Sequence, residues 1–200
     1  MMKFNKCALI LMAALGFACV AQATDNTDAQ DASERFVKQV SMSSLFEIEA
    51  AEVALDRSKT PEVRQIAEKM IRDHKASSDK LKALLVQEKL RFRVSMTLDD
   101  EHADKIRALK EEKAADFDDK YLEMQEDGHE KTIAEFERFL QAKDTHPALR
   151  AYAEKTLPTI KEHHRQIDKA EDKPKGQSFN NPQARRTQIA IESRFVSVAA

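Results

Sequence analysis

Glycine is scarce in this chain, with three in 200 residues and none adjacent to another. Loops that cradle phosphate need several glycines close together, so the Gly-rich nucleotide motifs are excluded. Cysteine occurs twice, as Cys7 and Cys19, both in an N-terminal segment that reads as an export signal. Without that segment there are no disulfide staples, thiolate metal ligands or cysteine nucleophiles. No apolar run of ~18 residues follows it, so no membrane span is expected. Neither sign of charge dominates: 33 basic residues stand against 35 acidic ones, which gives no electrostatic case for nucleic acid. Nor does any strand framework appear on which a nucleophile elbow would sit.

What is present begins with the signal. Lys3 and Lys6 precede an apolar run from Cys7 to Val20, and Ala21-Gln22-Ala23 has the small-x-small form of a cleavage site. The run is shorter than the roughly 20 residues of a spanning helix. Cleavage after Ala23 and a periplasmic location are therefore expected. A lipoprotein signal ending at Cys19 is the second reading, but Gly16-Phe17-Ala18 lacks the usual leucine. The polar residues 24–32 read as a flexible arm and 33–171 as one helical domain. Residues 172–200, rich in Lys, Pro, Gln, Asn and Arg, read as disordered.

Within 33–171 the apolar period is helical nearly throughout. The first helix is expected over 33–58. Thr60-Pro61 then signals a second helix, with proline at the first helical position, running to about Lys89. Arg91 to Leu98 read as an extended connection, and Asp99 or Asp100 caps a short charged helix to Lys113. A third long helix follows over 114–142. After the turn at Asp144-Thr145-His146-Pro147 comes a fourth, with Pro158 inside it. Two hairpins joined by a crossover make an antiparallel four-helix bundle. A weak repeat supports the duplication: Pro61-Glu-Val-Arg-Gln-Ile-Ala-Glu-Lys resembles Pro147-Ala-Leu-Arg-Ala-Tyr-Ala-Glu-Lys.

Each long helix carries one ionisable interruption of its apolar stripe: Glu47, His74, His129 and His163. Burying such a group alone costs several kcal/mol, so four of them must meet one another, a water or a metal. Glu47 and His74 lie about equally far from the first hairpin turn, and His129 and His163 from the second, which puts all four at one height. His164 also falls in the apolar arc of its helix, so the fourth position is open between it and His163; Glu126 is a further alternate. One ligand per helix is a known way to build a bundle site, and imidazole with carboxylate suits Zn, Fe or Cu. A dinuclear site would need Glu-x-x-His on two helices, and only Glu126-Asp-Gly-His129 has it. Two readings stand: one bound transition-metal ion, or a metal-free Glu–His network fixing helix register.

Other features read more plainly. His102 and His146 lie in a charged segment and a turn and are expected to be solvated. Met42, Leu45, Phe46 and Val53 form a second apolar patch on the first helix. Its readings are a homo-oligomer contact, an envelope-partner contact, or part of a wide buried stripe.

The segments Phe46-Glu-Ile-Glu49, Met70-Ile-Arg-Asp-His74, Phe117-Asp-Asp-Lys-Tyr121 with His129-Glu130, and Leu157-Pro-Thr-Ile-Lys-Glu-His163 resemble the domain of unknown function 4142 family. That resemblance runs from about Phe36 to Ala170. It implies an exported bacterial protein with a ferritin-like bundle, and His163 rather than His164 as the fourth-helix position. It implies no reaction, because a shared bundle does not determine function. The family's "outer membrane" label finds no repeated barrel strands here. The expectation is a ferritin-like bundle for metal handling or oxidative and envelope stress, or else a non-enzymatic envelope module.

Overall fold

A computed structural model describes residues 21–171, with side chains from Ala29 onward. The expectations for residues 1–20 and for the tail from 172 lie outside the described residues. Five helices follow in order: α1 (Ala21–Arg57), α2 (Pro61–Gln87), α3 (Asp100–Glu111), α4 (Phe117–Gln141) and α5 (Pro147–Glu171). α1 packs on α2 and α4 on α5 as hairpins; α1 also lies beside α4, and α2 beside α5. The short α3 rests on α1 and touches α4. No strand occurs among the described residues. This is the all-α four-helix architecture the sequence implies, with the extra helix in the crossover.

The flexible arm expected over 24–32 is a correction, because those residues are the opening turns of α1. No proline or glycine interrupts the chain from Ala21 to Lys59, so nothing stops the helix. Ala29 is buried there, and Ser33 Oγ donates to the Ala29 carbonyl at 3.0 Å. Low hydrophobicity had looked like looseness.

The repeated Pro-x-x-Arg segments have a physical explanation. Each proline opens the second helix of a hairpin, and each arginine reaches back to carbonyls at the end of the first. Arg64 donates to the Leu55 carbonyl and, at 3.2 Å, to Ser58 O. Arg150 donates to Leu140 O at 2.7 Å and to Ala142 O at 2.5 Å. Helix C-termini leave carbonyls unpaired, and a guanidinium there also complements the dipole. Thr60 stands at the N-cap of α2, but its hydroxyl crosses to Asp118 Oδ2 at 2.5 Å rather than capping the helix. Asp99 does cap α3, accepting from the His102 amide at 3.0 Å. α5 continues through Pro158, which has no N–H for the carbonyl four residues back.

The core is in two apolar parts. One, near the α1–α2 turn, is built on fully buried Ala50, Ala51, Ala54 and Ala67 with Phe46, Met70, Phe117 and Ile167. The other, toward the α4–α5 turn, is aromatic: Phe36 stacks on Phe139 at 4.0 Å and meets Phe136 edge-on at 5.0 Å. α3 closes the first part by inserting Ile106 and Leu109. Arg57 holds its end through the carbonyls of Leu109, Lys110 and Glu112. The Met42/Phe46/Val53 face is consequently corrected as a partner surface. Phe46 and Val53 are buried, and the His102 ring sits 5.1 Å from that of Phe46. Only Met42 and Leu45 keep partial exposure. The wide buried stripe was the right alternative, and α3 is what covers it.

Candidate functional site

Between the two apolar parts lies a polar layer. Glu47, His74, His129 and His163 come from α1, α2, α4 and α5, and all four are buried. The three imidazoles form a near-equilateral triangle, with ring centroids 5.7, 5.5 and 5.5 Å apart. One nitrogen from each ring falls within 4.8 Å of the other two.

Two of the tautomers are fixed by hydrogen bonds at the back of the rings. His129 Nδ1 lies 2.7 Å from the Gln125 carbonyl, which can only accept, so Nδ1 carries the proton. His163 Nε2 lies 3.0 Å from Asp73 Oδ2, so it donates to that carboxylate. In the neutral rings the remaining nitrogens, His129 Nε2 and His163 Nδ1, are therefore lone pairs. They face each other at 3.4 Å with no proton left between them. His74 Nε2, also buried, has no hydrogen-bond partner.

Burial opposes a proton on any of the rings. It holds His129 down at about 3, although the Gln125 carbonyl pulls the other way. His74 is pushed well below its ordinary value by burial and by the neighbouring imidazoles, and burial lowers His163 as well, against the pull of Asp73. Burial also works against the charge of Asp73, but hydrogen bonds from Lys69 and His163 outweigh it and keep the carboxyl at about 2. Asp73, which the sequence reading missed, is thus an ionised acceptor fixing His163, in the way that carboxylates orient metal-binding histidines.

Glu47 belongs to the layer but not to the triangle. Its Oε1 lies 3.9 Å from His129 Nδ1, the nitrogen turned toward Gln125 rather than toward His163. Its carboxylate lies beside the buried Gln125 amide without a well-formed hydrogen bond, and the buried Tyr121 hydroxyl also has no partner. Burial pushes Glu47 up to about 8, with Gln125 acting in the opposite direction. Gly128 makes room for it: a Cβ there would stand 2.2 Å from Glu47 Oε1. A mid-helix glycine costs about 1 kcal/mol relative to alanine, and here the carboxylate end occupies the place a Cβ would take. Gly128 also lines a cleft of about 920 Å³ between α1, α3 and α4, floored by Phe46 and Met124.

The neighbouring histidines part company. His163 faces the layer, whereas His164 lies in the outer groove between α4 and α5 with Glu126 and Asp168. Both residues held as alternates for the core position therefore form a separate group. Glu171 beside them is pushed up to about 7 by burial, by its hydrogen bond with Glu126 and by nearby carboxylates. His146 is half-buried, and its Nδ1 accepts from the Ala148 amide at 3.3 Å.

Fold and layer together define a ferritin-like four-helix bundle with a buried polar centre. The chain belongs to DUF4142, a domain of unknown function, whose sequence pattern matches residues 18–170. No curated protein matches the chain. Among solved structures it is similar to a DUF305 fragment from Deinococcus radiodurans, described as a crystal structure. The TM-score is 0.60 at 16% identity, over 70% of this chain and 94% of the fragment. At that identity the likeness concerns the fold alone. No described helix is long and apolar enough to cross a membrane.

Proposed function

We propose that this is an exported metal-handling protein that binds one transition-metal ion through His74, His129 and His163. The supporting observation is the pair of imidazole lone pairs facing each other at 3.4 Å, each tautomer set from behind. Two neutral acceptors in that position repel, and burial disfavours the proton that would reconcile them. A metal removes the conflict. Two nitrogens on one tetrahedral ion at ~2.0–2.1 Å sit about 3.4 Å apart. Three neutral imidazoles suit Zn, Cu or Fe, with a coordination position left for water or another small ligand. A metal-free network is the weaker alternative, because a closed network would leave no acceptor facing an acceptor and no orphan at His74.

Elemental analysis of the protein purified from the periplasm without a histidine tag tests this, beside a folded His74→Ala/His129→Ala variant. About one equivalent of transition metal, lost in the variant, is expected. Absence of metal in both after reconstitution with Zn, Cu and Fe would sink the proposal.

A further inference from the structure

We infer that the α4–α5 groove carries a second divalent transition-metal site, built from Glu126, His164 and Asp168 with Glu130 in reach. Glu126 and Glu130 are one helical turn apart on α4, and His164 and Asp168 one turn apart on α5, so two i,i+4 pairs face across the groove. One donor atom each from Glu126, His164 and Asp168 lies within 4.8 Å of the other two. His164 Nδ1 is 3.4 Å from Asp168 Oδ2, and its Nε2 is 3.8 Å from Glu130 Oε1.

Two observations separate this group from an ordinary solvated acidic patch. His164 Nε2 and Asp168 Oδ1 are shielded from solvent yet have no hydrogen-bond partner, although their side chains are only partly covered. Two cations on the adjoining turns of α5 are also paired elsewhere, Lys161 with Glu137 and Arg165 with Glu162. A divalent ion would accept both orphan atoms and balance the carboxylates. One imidazole with two or three carboxylates favours Zn or Mn over Ca, which takes oxygen alone. With one nitrogen and a solvent-facing side, the groove site binds more weakly than three buried imidazoles would. It does not rest on the core reading, since the two groups share no residue.

Titration of the metal-free full chain with Zn²⁺ against a chromophoric chelator tests it in three proteins. Wild type is expected to take up two equivalents of unequal affinity. His164→Gln/Asp168→Asn should lose the weaker one alone, and His74→Ala/His129→Ala the tighter one alone. Should the first variant misfold by circular dichroism, Glu126→Gln/Glu130→Gln reads the same loss. Uptake that the groove variants leave untouched, whether one equivalent or two, overturns the inference. A missing tight equivalent with the weaker one retained would instead count against the core site.

Discussion

The two apolar parts of the core solve the same packing problem with different materials. The part near the α1–α2 turn sets four fully buried alanines among Met70, Phe117 and Tyr121 under a covering helix, so small side chains interleave with bulky ones. The part near the α4–α5 turn uses stacked rings of Phe36, Phe136 and Phe139, which fill a wider space with large side chains. Each part is closed by its own arginine elbow, Arg64 in one and Arg150 in the other. The layer between them has neither solution, being buried and polar with several atoms unpaired. The difference teaches that stability is carried at the two ends and spent in the middle.

The aromatic end should break hardest. Phe136→Ala leaves a large void among rigid rings and is expected to cost about 3–5 kcal/mol by urea unfolding. A loss under about 1 kcal/mol would mean the rings are not interlocked as described.

The middle layer should be exposed next, through pH, in metal-free protein. The folded Glu47 carboxyl sits at about 8, against an ordinary 4.5. Its contribution is therefore fully present below 4.5 and lost as pH rises toward and through 8. His129, held near 3 against an ordinary 6.5, has the opposite sign. Its contribution is present above 6.5 and lost as pH falls toward and through 3. Stability should thus peak between the two limbs, and Glu47→Gln should flatten the alkaline one, whose slope approaches about 1.4 kcal/mol per pH unit. Parallel profiles for wild type and variant would refute the assignment.

The alanine end should respond to addition rather than removal. Ala51→Leu overpacks a fully buried position and is expected to cost about 1–3 kcal/mol. A neutral result in thermal unfolding would show slack there and erase the contrast between the ends.

Much of this arrangement was legible in the sequence because it follows from periodicity and punctuation. Pro61 and Pro147 mark the hairpins, and Val63, Ala67, Met70 and Leu81 define the inner arc on which His74 falls. Height was legible too, since equal distance from a turn fixes it. What escaped was rotation and second contacts. Periodicity says that Glu47 faces inward but not on which side of His129 it arrives. Asp73 sat in a charged stretch and looked solvated; its direct adjacency to His74 was the available signal. Gln125 and Tyr121 lie one and two turns before His129 on the same face, and a polar row at that spacing would have found them. The cover over Phe46 was hidden because a short amphipathic helix does not announce which surface it will take.

Gly128 has a historical consequence. A methyl group at that position collides with the Glu47 carboxylate, whereas the carboxylate can shorten or disappear without offending the glycine. The two positions are therefore linked in one direction only. A lineage that abandons the buried acid becomes free to replace the glycine and gain a better helix. One that replaces the glycine first must pass through a crowded intermediate. Once both have changed, an acid restored before the glycine must shift away from the added methyl, so the centre is lost more easily than it is regained.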